Sequence, residues 1–158
     1  MSSHTHYPKV TIRSKHFDRA FVQLNGTGIH KYREEPYKNT VHTANHAQGW
    51  EIFNLHYNSD GTVSFEASQF PNVFLSLDGN GVKPKVRIAA GGGSVAAQYT
   101  ALAWEKFHIR RISDNNAEAA IESAHFPGRY LRLDEPHNVV NVQGVIEDWE
   151  HFEIIVVG

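Results

Sequence analysis

Three polar side chains stand directly after a repeated strand-like phrase and could accept hydrogen bonds from a ligand. The phrases FVQLN, FLSLD and YLRLD end on Asn25, Asp78 and Asp134. A carboxylate can accept hydrogen bonds from two neighbouring hydroxyl groups, whereas an amide offers one acceptor oxygen. The three positions therefore suit a ligand rich in hydroxyl groups, and Asn25 is the weakest of them.

Further polar side chains follow each of these positions and could complete a binding site. They are His30 and His46 after the first, Asn80 and Lys85 after the second, and His137, Asn138 and Asn141 after the third. Asp134 is our first choice, because its loop has no glycine after the acid and Pro136 stiffens it. The alternative is that Asx side chains only hold their own turns, as they do in many loops.

Catalytic and metal-binding signatures are absent from the sequence. The chain contains no cysteine, which excludes disulfides, thiolate chemistry and Cys-ligated zinc. Neither a His-Glu-x-x-His motif nor a Gly-x-Ser-x-Gly elbow occurs, and the glycine run AAGGGSVAA lacks the lysine of a phosphate loop. We therefore expect no enzyme activity, no metal and no cofactor.

The composition indicates a globular protein without a nucleic-acid partner. Hydrophobic residues make up 41% of the 158 residues and charged residues 20%, and the net charge is −2. The sequence contains no apolar run of about 18 residues and no signal-peptide core at its start. The expectation is a cytoplasmic protein, or one released without a conventional signal, that does not insert into membranes.

The chain repeats two phrases three times. The first is Trp-Glu-x-Phe-x-Φ, where Φ is apolar, beginning at Trp50, Trp104 and Trp149. The second comprises the stretches 14–25, 67–78 and 123–134, which align without gaps and end on the polar residues named above. We therefore divide the chain into repeats at approximately 8–60, 61–114 and 115–158.

Each repeat shows the alternation of apolar and polar residues that is typical of short strands, with turn signals such as NSDGT and DGNG between them. The segment DNNAEAAIESA is rich in helix-forming alanine, but its alignment with SDGTVSFEA predicts a strand. One repeat cannot bury its apolar face alone, whereas three can share a core. We predict an all-β fold in a single domain, a β-trefoil of three repeats with four strands each.

The two phrases resemble those of β-trefoil proteins over the whole chain. YLRLD and FLSLD are similar to the sugar-site strand of ricin-B-type lectins, and the cysteine-free chain resembles the small lectins of mushroom fruiting bodies. The ending WEHFEIIVV is similar to fascin-like trefoils, which include the histidine-rich hisactophilins. The Gln-x-Trp motif of ricin-type repeats is kept only at Gln48–Trp50.

The resemblance implies a non-catalytic lectin for glycans that carry galactose or N-acetylgalactosamine. It would bind glycoproteins or glycolipids through up to three shallow sites, one in each repeat, and could act as a homodimer. Two alternatives stay open, a fascin-like actin-binding trefoil and a trefoil protease inhibitor of the mushroom type.

Overall fold

In a computed structural model, which describes residues 7–113 and 118–157, the chain is built from twelve β-strands. The strands are β1 (Lys9–Ser14), β2 (Phe21–Leu24), β3 (Val41–Ala44), β4 (Phe53–Tyr57), β5 (Val63–Ala67), β6 (Val73–Asp78), β7 (Ser94–Tyr99), β8 (Phe107–Arg111), β9 (Ala119–Ser123), β10 (Tyr130–Asp134), β11 (Val139–Gln143) and β12 (Phe152–Val156). Two single 3₁₀ turns cover Ala103–Glu105 and Asp148–Glu150. The prediction of an all-β fold is confirmed.

Six strands close into an antiparallel barrel. Following the pairings, β1 joins β4, then β5, β8, β9 and β12, and β12 returns to β1. The closure is made by Val10 opposite Phe53, Val63 opposite Phe107, and Phe152 opposite Ala119. Closure leaves the barrel strands without free edges, which protects them from pairing with other chains.

The other six strands form three hairpins, β2–β3, β6–β7 and β10–β11. Their registers place Gln23 opposite His42, Ser76 opposite Ala96, and Arg132 opposite Asn141. These pairs occupy corresponding positions, each one residue before the last leucine of the first strand. The hairpins therefore carry the loops that follow Asn25, Asp78 and Asp134.

The core is built from the positions that the repeated phrases share. Phe53, Phe107 and Phe152 are fully buried, as are Leu24, Leu77 and Leu133. The tryptophans of the repeated phrase lie on the turns before the barrel strands, and Trp50 is 39% exposed. The alanine-rich segment forms strand β9 over Ala119–Ser123, as its alignment predicts.

The boundaries of the repeats are not tested by the strand pairings, and the division at 8–60, 61–114 and 115–158 stays a prediction. Residues 114–117, at the last of these boundaries, lie outside the described part of the chain. In the described ranges, no helix is long and apolar enough to cross a membrane.

Candidate functional site

Asp134, at the end of β10, is the centre of a polar cluster. Its side chain is almost completely buried, and the residue is only 5% exposed. The Nδ1 atom of His137 lies 2.9 Å from both carboxylate oxygens, and the backbone N–H of His137 donates to Oδ1 at 3.2 Å. Because an ionised carboxylate only accepts hydrogen bonds, this contact requires a proton on Nδ1, and Nε2 is the ring nitrogen left for another partner. The His137 side chain is 75% exposed, so its ring is available to a ligand.

Arg132 lies beneath this pair and is almost completely buried. Its Nη1 atom lies 3.5 Å from Asp134 Oδ2 and donates to the carbonyl oxygen of Ala90 at 3.0 Å. Nη1 also donates to Asn141 Oδ1 at 3.2 Å, and the guanidinium carbon stands 4.6 Å from the centre of the Trp149 ring. These charge-assisted and cation–π contacts fix the side chains that surround Asp134.

The cluster opens onto a cavity of about 350 Å³. Its polar lining includes Asp134, His137 and Asn141, and its apolar lining includes Val139 and Trp149. A small cavity with an apolar surface and a few convergent polar groups is typical of a small-molecule site. Three of the predicted residues are therefore brought together here. The structure adds Arg132 and Trp149, which the sequence-based set of site residues does not include.

Asn138 has a structural contact across the molecule. Its Oδ1 accepts the backbone N–H and the hydroxyl of Thr43 at 3.0 and 2.9 Å, which links the β10–β11 turn to β3. Its φ of 55° closes that turn, a conformation that asparagine tolerates better than most residues. Asn138 also lines a second cavity, described next.

Asp78 and Asn80 line this second cavity, which has a volume of about 690 Å³. Asp78 Oδ1 accepts the backbone N–H and the side-chain amide of Asn80 at 3.0 and 2.8 Å, so one carboxylate oxygen holds the turn. Trp104 and Ser94 belong to the same wall. Trp104 corresponds to Trp149 in the repeated Trp-Glu phrase. Ser94 corresponds to Val139, since Ser94 pairs with Asp78 as Val139 pairs with Asp134.

Three of the predicted residues lie outside the cavities described for this chain. Asn25 Oδ1 accepts the backbone N–H and the hydroxyl of Thr27 at 3.0 and 2.6 Å, which is the geometry of an Asx turn. His30 is exposed on the loop that follows. Lys85 is exposed at a φ of 66°, and its backbone N–H donates to Gly144. In the first repeat, the turn-holding alternative fits Asn25 best.

His46 lines a third and smaller cavity of about 260 Å³ beside the exposed Trp50. Its Nδ1 contacts Asn45 at 3.1 Å, and its Nε2 lies 3.7 Å from Glu51. The side chain of Gln48 completes this wall. The repeated Trp-Glu pattern is the sequence signal that marks this surface, since Trp50 and Glu51 both line the cavity.

The glutamate of each Trp-Glu pair is buried and holds the turn before it. Glu51, Glu105 and Glu150 accept the backbone N–H of the residue three positions earlier at 2.8, 2.7 and 2.7 Å. Burial raises the pKa of Glu105, and it raises the pKa of Glu150 to about 7. Glu150 lies in the wall of a fourth cavity, of about 510 Å³, together with Arg132 and Trp149. The turn that positions Trp149 therefore contains a group that titrates near neutral pH.

In the described ranges, no group of three or more His, Cys, Asp or Glu side chains is placed to hold a metal ion.

Comparison with known proteins finds no matching family model and no curated protein with a similar sequence. Solved structures are similar. A mosquitocidal holotoxin superposes with a TM-score of 0.71 at 13% identity over 98% of this chain and 18% of the toxin chain. The protein SeviL, bound to asialo-GM1 saccharide, gives 0.67 at 9% identity over 96% of this chain and 99% of its own.

A third similar structure is the Polyporus squamosus lectin bound to the human-type influenza-binding epitope Neu5Acα2-6Galβ1-4GlcNAc. It gives a TM-score of 0.64 at 14% identity over 96% of this chain and 50% of the lectin chain. The chain thus spans about a fifth of the holotoxin and half of this lectin. At these identities the likeness shows a shared fold.

Proposed function

We propose that the chain is a non-catalytic lectin with a β-trefoil fold that binds glycans carrying galactose or N-acetylgalactosamine. One observation carries the proposal. The carboxylate of Asp134, the imidazole of His137 and the indole of Trp149 converge on one cavity of about 350 Å³. Polar groups that can bind hydroxyls thus share one cavity with apolar surface that can cover the C–H face of a sugar ring.

In this proposal, the residues around Asp134 have different roles in binding. Asp134 orients the His137 ring, whose Nε2 forms a hydrogen bond with a sugar hydroxyl. Asp134 is only 5% exposed and its carboxylate already contacts His137 and Arg132, so its main role is to hold the ring in position. Arg132 is committed to neighbouring protein oxygens and holds the wall in place. The preference for galactose rests on the resemblance of YLRLD to the sugar-site strand.

The similar structures support this function. Two of the three hold saccharides, and the epitope bound by the Polyporus squamosus lectin includes galactose. The six-stranded barrel with three hairpins suits a trefoil of three four-strand repeats, which would offer up to three sites. Single sites of this depth bind in the range of about 1 mM, and repetition or a homodimer would raise the avidity on a glycan-dense surface. A cytoplasmic location of the protein is also part of this proposal.

A glycan array with galactose competition tests the function. We expect signals on glycans with terminal galactose or N-acetylgalactosamine that free galactose abolishes. An array without signal at high micromolar protein would refute the proposal. Co-sedimentation with actin and inhibition of a cysteine protease are measured in parallel. A positive result in the first would favour the actin-binding alternative, and a positive result in the second would favour the protease inhibitor.

The variant His137→Ala tests the site without disturbing the core, because the ring is exposed. We expect galactose affinity to fall about tenfold, the effect of losing one to two hydrogen bonds. His30→Ala is the matched control, since His30 is exposed on another hairpin loop. Asp134→Asn is less suitable, because it would leave the buried Arg132 without its charged partner and lower stability.

A further inference from the structure

Two of the cavities share part of their lining. Val139 and Asn141 line both the Asp134 cavity and the larger cavity beside Asp78. Both residues belong to β11, and the Val139 side chain is partly exposed where the two spaces meet. The two cavities therefore lie side by side across the start of β11.

The larger cavity is built by all three hairpins. His42 comes from β3, Ser94 from β7 and Asn141 from β11, while Asp78 and Asn80 stand at the end of β6. The sequence assigns Asp78 and Asn138 to separate sites, yet both line this one space. Its volume of about 690 Å³ is roughly twice that of the Asp134 cavity.

The lining of this larger cavity combines hydrogen-bonding and apolar groups. Asp78 uses Oδ1 for its own turn, and no protein hydrogen bond to Oδ2 is found among the described residues. Ser94 and Asn80 are exposed beside it, and Val95 and Trp104 supply apolar surface. Lys38 and Glu35 also line the cavity with opposite charges, and Asp78 leaves one net negative charge, which disfavours anionic ligands. This mixture suits the hydroxyl and C–H faces of uncharged sugar rings.

We propose that the two cavities form one extended groove for an uncharged oligosaccharide. The terminal sugar occupies the Asp134 cavity, and the following sugars pass Val139 into the Asp78 cavity. This inference rests on the proposed lectin function and specifies its ligand as a chain of several sugars. It replaces separate sites in the second and third repeats by a single composite one.

The test measures the affinity of one monosaccharide and one longer ligand by isothermal titration calorimetry. The probes are galactose and an uncharged tetrasaccharide that ends in galactose. In the variant Ser94→Trp, the first residue of β7 carries a bulky ring into the Asp78 cavity, and strands tolerate aromatic residues. Ser59→Trp is the matched control, because Ser59 is exposed in the turn between β4 and β5, away from the groove.

We expect the wild-type protein to bind the tetrasaccharide at least about tenfold more tightly than galactose, a gain of about 1.4 kcal/mol. Ser94→Trp should remove this gain and leave galactose affinity unchanged, whereas His137→Ala should weaken both ligands. Equal wild-type affinities, or an unaltered gain in Ser94→Trp, would overturn the extended groove while the lectin function stands. If the wild-type protein binds neither sugar, both proposals are overturned together.

Discussion

Replacing Glu150 by glutamine should make the folded protein more stable at alkaline pH and change little at acid pH. The Glu150 side chain is almost fully buried, and its Oε1 accepts the backbone N–H of Glu147 at 2.7 Å. Burial raises its pKa from 4.5 to about 7, against the opposing effects of that hydrogen bond and of the Arg132 charge. Glutamine keeps the acceptor oxygen but has no charge to desolvate.

The sign and size of the effect follow from the pKa shift. Between pH 4.5 and 7 the folded protein keeps a proton that the unfolded chain has released, so the free energy of unfolding falls as the pH rises. The difference between about 7 and 4.5, at about 1.36 kcal/mol for each pH unit, gives an upper limit of about 3.4 kcal/mol. Part of that window lies below pH 5, so we expect about 2 kcal/mol between pH 5 and pH 8.

Urea denaturation of wild type and Glu150→Gln at pH 5, 6, 7 and 8 measures this difference. Other titrating groups, Glu105 among them, are common to both proteins and cancel in the comparison. Glu135→Gln is the control, because it makes the same substitution at an exposed side chain outside the Glu150 turn. A Glu150→Gln difference that stays constant from pH 5 to pH 8 would refute the reasoning.

Further predictions concern backbone and turns, and each is measured by urea denaturation. Arg19 has a φ of 58°, a backbone conformation that favours glycine, and the corresponding residue of the third repeat is Gly128 with a φ of 80°. Arg19→Gly should therefore stabilise the protein by about 0.5 kcal/mol. A loss of stability would contradict this prediction. Asn138→Ala should cost about 2 kcal/mol through its two bonds to Thr43, and Asn138→Gly, which relieves the strain, should cost less. Gly144→Ala should cost over about 2 kcal/mol, because a Cβ would collide with the carbonyl oxygens of Lys83 and Val86. Gly61→Ala, which meets only backbone strain, should cost about 1 kcal/mol; equal losses would argue against the collision.

Much of the fold could be predicted from local pattern. Phe53, Phe107 and Phe152 stand at corresponding points of the repeated phrase, and all three are buried at the barrel closure. The alignment also predicts a strand at Ala119–Ser123, where helix propensity alone favours a helix. Repetition carries this information because equivalent positions face the same core in each repeat.

The site was less accessible to prediction, because its contacts join segments far apart in the chain. Arg132 was not among the candidates, yet it binds the carbonyl oxygen of Ala90, 42 residues away, and supports the wall next to Asp134. The burial of Asp134 and the meeting of Asp78 with Asn138 in one cavity likewise depend on how the hairpins pack. Neither feature leaves a signal in the spacing of residues.

In the proposed site, a sugar binds between His137 and Trp149. An NMR titration of ¹⁵N-labelled protein with a galactose-terminated trisaccharide tests it most directly. We expect the largest saturable shifts at the backbone amide of His137 and the indole N–H of Trp149, and little change at Tyr57, which is exposed at the end of β4. The absence of shifts at about 10 mM sugar, or shifts confined to residues away from the Asp134 cavity, would contradict the claim.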